Sequence, residues 1–225
     1  MKQITIIVAG GSGKRMNSDI PKQFLLLNGT PVLMRTISSF HQYDPLMEFI
    51  ITLPSDQVKY WQTLCKKYRF NISHTIVIGG KTRHHSVKNA MEKIQPGCLV
   101  AIHDGVRPII SKALIRTCFD TAGILGNAIP VVELSESIRK VDGEKNSAAN
   151  RSHFRLVQTP QVFQSGQLID AFMQPYKPEF TDEANLVESA GYMIHLVKGQ
   201  KENIKITTTL DMYIASSILE NSGLF

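Results

Sequence analysis

Five short runs rich in Val and Ile, at residues 4–9, 49–53, 75–78, 99–103 and 128–132, punctuate the first two-thirds of the chain, and helical spacing fills 31–40, 55–69, 86–94 and 111–122 between them. Strands that are apolar throughout need cover on both faces, and strands that alternate with helices obtain it by pairing in parallel with the helices as crossovers. The pattern predicts an α/β fold, a Rossmann-like, three-layer, mostly parallel sheet. Ser55 and Ser111 are the expected N-caps of their helices. In such sheets ligands bind beyond the carboxyl ends of the strands, so the loops that follow the strands are where chemistry is expected. With 43% hydrophobic and 20% charged residues, the chain can bury a core without disulfides or a structural metal. Its 225 residues suit one domain spanning 1–225.

The alternation fails between 133 and 155, where the sequence reads ELSESIRKVDGEKNSAANRSHFR. Ile138 and Val141 stand among polar residues ahead of Asp142-Gly143, which predicts a hairpin turning at that dipeptide. The segment is too short for a domain and long for an idle loop, so it is expected to project as an arm. Regular structure is expected again at 165–172 and 181–190, with a strand at 193–197 and a last helix from 209.

Twenty-five Lys and Arg against nineteen Asp and Glu give a net charge of +6, which points to anionic partners. The basic residues are scattered, and the densest group, Lys66, Lys67 and Arg69, ends an amphipathic helix where a solvated face explains it. No nucleic-acid-binding motif accompanies them. Cys65, Cys98 and Cys118 are odd in number and widely spaced, which fits a reducing compartment and neither a disulfide framework nor a zinc site. The first residues lack a signal peptide's apolar core and cleavage site, and no apolar stretch is long enough to span a membrane. The expectation is a soluble, cytoplasmic protein without membrane or nucleic-acid partners.

The strongest local motif is V-A-G-G-S-G-K-R-M at 8–16, directly after the first strand. Its glycines let backbone N–H groups approach a polyphosphate, and Lys14 and Arg15 add charge. Met16 replaces the third glycine of a dinucleotide fingerprint, and Val8 and Arg15 break a Walker A loop, so neither applies. Pro21-Lys22-Gln23 places a further cation near the loop's mouth. After the third strand, Gly79-Gly80 leads to a helix start where Ser86 either caps the helix or meets a ligand. His84 and His85 are adjacent and diverge on a helix, so they do not form a metal site. After the fourth strand comes H-D-G-V-R-P. Asp104 at a strand end suits a Mg²⁺ that bridges phosphates, with an ion pair to Arg107 as the plainer reading. The absence of a G-x-S-x-G elbow argues against Ser86 as a nucleophile.

In order, AGGSGKRM, PKQFL, GGKTRHHSV, HDGVRP, TPQVF, TDEANLVE and NIKITT run nearly end to end, and with them the chain resembles the 2-C-methyl-D-erythritol 4-phosphate cytidylyltransferase family. The resemblance implies that Ala9, Gly10, Gly11, Ser12, Gly13, Gly79, Gly80 and Ser86 hold CTP, with Arg15 and Lys22 on its phosphates. It further implies that Asp104, Arg107, Thr159, Thr181 and Lys205 hold the methylerythritol phosphate or bridge both substrates, with Arg15, Lys22 and Lys205 catalytic and Mg²⁺ at Asp104. The family works as a homodimer with interlocking arms, which would bring Arg151 from the partner. A sister family that makes CDP-ribitol from ribitol 5-phosphate shares the double glycine, whereas Thr181-Asp182-Glu183-Ala184 is more like the methylerythritol enzymes.

A phosphate monoester is already anionic, so its oxygen can attack the α-phosphorus of CTP without a general base. Repulsion between two polyanions is the obstacle, and cations that collect charge on the leaving pyrophosphate are the remedy. A catalytically silent nucleotide-binding regulator on the same scaffold is the reading from another class, opposed by the joint presence of Lys22, Asp104 and Lys205.

Overall fold

A computed structural model describes residues 1–11 and 20–221. Ser12, Gly13, Lys14 and Arg15 of the predicted phosphate loop lie outside the described residues. The elements in chain order are β1 (Lys2–Val8), β2 (Leu26–Leu27), β3 (Thr30–Pro31), α1 (Val32–Tyr43), β4 (Glu48–Leu53), α2 (Val58–Lys67), β5 (Thr75–Ile78) and α3 (Arg83–Met91). They continue with β6 (Cys98–Asp104), α4 (Lys112–Leu125), β7 (Asn127–Glu133), β8 (Ile138–Asp142), β9 (Lys145–Ala149), β10 (Arg155–Val157) and β11 (Gln161–Gln164). The last are α5 (Ser165–Ala171), α6 (Glu183–Ser189), β12 (Leu196–Lys198) and α7 (Thr209–Asn221).

β6, β1, β4 and β5 pair in parallel as the alternating pattern predicts. β7 is not beside β6, because β11 lies between them, antiparallel to both. β10 continues along the far end of β7, and β12 pairs β7 in parallel. Period-2 alternation in β1 divides the core. Ile7 packs with Phe40, Trp61 and Phe119 under α1, α2 and α4, while Ile4 and Ile6 pack with Val87, Phe163 and Leu186 under α3, α5 and α6. These two layers of helices and the sheet between them are the three predicted layers. Trp61 is fully buried among Phe24, Phe70 and His74, a burial that stabilises by about 2–3 kcal/mol on area alone.

The N-cap reading holds at Ser111, whose hydroxyl accepts from the Leu114 N–H at 3.1 Å. It fails at Ser55, which sits inside a short 3₁₀ turn behind Pro54 and makes no capping bond. Ser86 does not cap α3 either. The helix starts three residues earlier than the apolar spacing indicates, because Thr82 adopts extended backbone and takes the cap.

β8 and β9 form the predicted hairpin, with Asp142 opposite Lys145. The turn is therefore Gly143-Glu144, one residue later than the Asp142-Gly143 reading. Gly143 has φ +57° and is the first of the two turn residues, where a II′ hairpin requires glycine. The hairpin is exposed along most of its length, as a projecting arm should be.

Candidate active site

The parallel register of β1, β4 and β6 aligns their carboxyl ends, with Val8 opposite both Thr52 and Asp104. The chain leaves β1 through Ala9, whose N–H reaches the Thr52 carbonyl at 3.0 Å. A pocket of about 310 Å³ opens there, and its lining includes Ala9, Gly10, Gly11, Lys22, Gly80, Arg83, Ser86, Asp104 and Lys205. Of the residues predicted from sequence and described, Ala9, Gly10, Gly11, Lys22, Gly80, Ser86, Asp104 and Lys205 thus converge on one cavity.

Lys22 is set by a short turn that follows Pro21, whose φ of −54° suits the pyrrolidine ring. Its neighbour Gln23 is fully buried and donates to the Ala9 carbonyl at 2.9 Å and to Gln57 Oε1 at 2.7 Å. Gln23 therefore ties the cation-bearing turn to the start of the glycine loop. Lys22 packs over Gly11, where an added Cβ would stand 3.3 Å from Lys22 Cε.

Gly79 and Gly80 form a turn braced from within. The Gly79 N–H bonds to the Leu53 carbonyl at 2.8 Å, and the Gly80 N–H bonds to Ser86 Oγ at 3.0 Å. Ser86 in turn donates to the Thr82 carbonyl at 3.0 Å, so its hydroxyl is spent on holding the loop. Both N–H groups of the turn are thus engaged, and Gly80, unlike Gly79, lines the pocket. Glycine is required at Gly80, because a Cβ there would stand 2.4 Å from His85 Cβ.

Asp104 is the electrostatic centre. Its Oδ2 receives Arg107 Nε and Lys205 Nζ, each at 3.1 Å, and its Oδ1 has Arg83 Nε at 3.8 Å. Burial alone would push the carboxyl up, but Arg83, Lys205 and Arg107 overcome it and hold Asp104 well below the usual carboxylate range. Asp104 is thus ionised at any working pH. Arg107 also donates to the Asn203 carbonyl at 2.8 Å, and the Ile206 N–H bonds to the Val106 carbonyl at 2.9 Å. These contacts stitch the segment that carries Lys205 to the end of β6. The ion pair to Arg107, the plainer reading of Asp104, is present, and Asp104 also lines the pocket.

Thr159 is buried beneath Asp104. Its Oγ accepts from the Asp104 N–H at 3.1 Å and lies 3.0 Å from His103 Nδ1, so it supports the carboxylate from behind. Thr181 is exposed and precedes Asp182, the N-cap of α6. Arg151 is exposed on the arm and donates to the Ser135 carbonyl of the same arm. Neither Thr181 nor Arg151 lines the pocket of its own chain.

Sequence reasoning missed Arg83 and Glu183. Arg83 Nη1 lies 2.5 and 2.6 Å from the two oxygens of the buried Glu183. Burial pushes the Glu183 carboxyl up against the pull of Arg83, but the guanidinium keeps its proton and the pair is ionic. A signal was available in principle: Arg83 begins a helix, where a cation opposes the helix dipole and needs an external partner.

A larger cavity of about 770 Å³ lies at the foot of the arm among Val131, Glu133, Arg155, Leu196 and Gln200. None of the sequence-predicted residues line it, so the smaller, cation-lined pocket is the candidate active site.

Fold and pocket together define a class, three-layer α/β proteins with a pocket between glycines at the strand ends and a carboxylate ringed by cations. Within that class the chain belongs to the 2-C-methyl-D-erythritol 4-phosphate cytidylyltransferase family, whose model matches residues 3–221. The protein of that name from Bacteroides thetaiotaomicron is 45% identical over 219 residues, covering 97% of this chain and all of its own. The one from Porphyromonas gingivalis is also 45% identical, over 97% of this chain and 98% of its own. The crystal structure of the Francisella tularensis enzyme superposes with a TM-score of 0.80 at 30% identity, covering 96% and 99% of the two chains. That of the Thermus thermophilus enzyme gives 0.79 at 28% identity, covering 98% and 100%.

Proposed function

We propose that this chain transfers the cytidylyl group of CTP to the phosphate of 2-C-methyl-D-erythritol 4-phosphate, releasing pyrophosphate. The observation that carries the proposal is the convergence of Lys22, Arg83 and Lys205 with the Asp104 carboxylate on a glycine-lined pocket, in a chain of this family. A phosphate oxygen of the acceptor attacks the α-phosphorus of CTP, the new P–O bond forms as the bond to the β-phosphate breaks, and the negative charge departs on pyrophosphate. No proton need be abstracted. Lys22 is assigned to the growing charge on the phosphates together with Arg15, and Lys205, anchored on Asp104 at 3.1 Å, to the acceptor phosphate. The carbonyls of the Gly79-Gly80 turn suit the exocyclic amine of cytosine, a donor where uracil presents an acceptor.

Mg²⁺ is the proposed cofactor, carried in with the triphosphate. The residues fit it: Asp104 is held ionised, and its Oδ1 accepts no hydrogen bond among the described residues. Among those residues no three His, Cys, Asp or Glu converge as a cage, so one carboxylate and phosphate oxygens would hold the ion. When bound, it would draw negative charge from the phosphates.

A homodimer with exchanged arms completes the proposal. Phe154, Leu156, Val157 and Leu196 are about half exposed around the foot of the arm, an apolar surface that a second copy would cover. Arg151, exposed on the arm, would then serve the partner's pocket. Among the described residues no helix is long and apolar enough to cross a membrane, and a cytoplasmic setting is part of this reading.

The test is pyrophosphate release from CTP with methylerythritol phosphate and ribitol 5-phosphate in parallel, with and without Mg²⁺. Release with the first acceptor and Mg²⁺ alone is expected. Release with ribitol 5-phosphate in its place would overturn the acceptor assignment, and release with neither would overturn the reaction.

A further inference from the structure

The contact between Arg83 and Glu183 joins two helix starts that are far apart in sequence. α6 is fixed at its N-terminus by Gln161, which donates to Asp182 Oδ2 at 2.9 Å and accepts from the Ala184 N–H at 2.9 Å. Glu183 therefore projects from a clamped turn, and its exposure is 2%. Opposite it, Arg83 leads α3 and lines the catalytic pocket. Nη1 is committed to both Glu183 oxygens at 2.5 and 2.6 Å, while Nε stops 3.8 Å from Asp104 Oδ1. A charge-assisted N–H···O bond closes at about 2.7–2.9 Å, so the guanidinium halts roughly 1 Å short of a bond to Asp104.

The two oxygens of Asp104 are consequently unlike. Oδ2 is fully engaged by Arg107 and Lys205, whereas Oδ1 accepts nothing among the described residues. Without its anchor, Arg83 would move onto Oδ1, since Asp182, the other carboxylate that acts on it, has its oxygens taken by Gln161 and the Asn185 N–H.

We propose that Glu183 is a positioning residue that holds Arg83 back from Asp104 and thereby keeps Asp104 Oδ1 open to the nucleotide and its metal ion. The inference rests on the function proposed above. It differs from a purely structural role, in which Glu183 would only neutralise a buried guanidinium.

The two roles separate in a double-mutant comparison. In Glu183→Gln the charge that restrains Arg83 is gone, and the affinity for CTP with Mg²⁺, measured by calorimetry without acceptor, is expected to fall about tenfold, within the range for residues of one ion-pair network. kcat/KM for CTP should fall in parallel. Adding Arg83→Met removes the competitor for Oδ1, so R83M/E183Q is expected to bind CTP better than E183Q and about as well as R83M alone. A purely structural role also predicts relief in the double variant, because the unpaired guanidinium is gone, but that relief appears in the unfolding temperature, and folded E183Q keeps the wild-type affinity for CTP. The proposal is overturned if E183Q binds CTP like the wild type, or if the double variant is no better than E183Q. Thermal unfolding of each variant guards against misfolding. Should E183Q not fold, Glu183→Asp, which withdraws the charge by one methylene, is compared with R83M/E183D in the same way. Wild-type turnover is the internal control: its absence would remove the proposed function and this role with it, whereas turnover without the recovery would remove only the role of Glu183.

Discussion

His103 lies directly behind Asp104, has no exposed surface, and packs edge-on against Phe40 at 4.8 Å between centroids. Its Nε2 lies 3.1 Å from the Arg107 carbonyl, which can only accept, so Nε2 carries the proton. Nδ1 must then accept from the Thr159 hydroxyl at 3.0 Å, and that hydroxyl accepts from the Asp104 N–H at 3.1 Å. Protonating Nδ1 would reverse the Thr159 hydroxyl and leave its hydrogen without a partner. Burial, with Arg107 and Lys205 nearby and Asp104 opposing them, pushes the His103 imidazolium down to about 4 from an ordinary 6.5. A histidine depressed in the folded state binds fewer protons there than in the unfolded chain, so stability is full above the unfolded pKa and falls as the pH drops towards 4. A shift of this size corresponds to about 3 kcal/mol in full, of which about 2 kcal/mol is lost between pH 7.5 and 5. Urea unfolding of the wild type and of His103→Gln across that interval measures it. The variant starts less stable, and the gap should narrow by about 2 kcal/mol at pH 5. His84, also depressed by burial, contributes a slope common to both proteins. Parallel curves for the two proteins would refute the argument.

Lys22→Ala is expected to lower kcat by roughly a hundred- to a thousandfold, the usual loss of one donor at developing charge, and near-normal turnover would remove Lys22 from catalysis. Gly80→Ala forces a Cβ to within 2.4 Å of His85 Cβ. It should cost about 1–3 kcal/mol of stability and raise the KM for CTP more than that for the acceptor, in paired steady-state titrations. Arg15→Ala and Arg151→Ala should each be nearly inactive, yet an equal mixture of co-refolded chains should regain about a quarter of wild-type activity, because about half the dimers are mixed and each has one intact site. No recovery, with mixed dimers demonstrated, would remove Arg151 as a residue acting across the interface.

The parts of the molecule that were legible in the sequence are those with a local cause. Continuous Val and Ile runs announced β1, β4, β5 and β6, with Asp104 as the last residue of β6 and Lys22 in the segment after β1, at the strand ends where chemistry was expected. β11 escaped because Gln161-Val-Phe-Gln164 is four residues with no period of its own, inserted between β6 and β7 by long-range pairing. The cap of α3 was misplaced because Ser86 and Thr82 carry similar hydroxyls one helical turn apart, and only the backbone of Thr82 turns out of the helix. Arg83 and Glu183 look like ordinary surface charges until the two helix starts face each other, 100 positions apart.

The candidate pocket depends on residues late in the chain, since Lys205 reaches back to Asp104, Asn203 Nδ2 bonds to the Thr159 carbonyl at 2.8 Å, and Glu183 pairs with Arg83. A ribosome delivers these residues last. A chain stalled or clipped before residue 203 would contain every strand of the main sheet and Asp104 but not Lys205. Only a chain made past the turn before α7 carries all three of the cations, Arg83, Arg107 and Lys205, that surround Asp104.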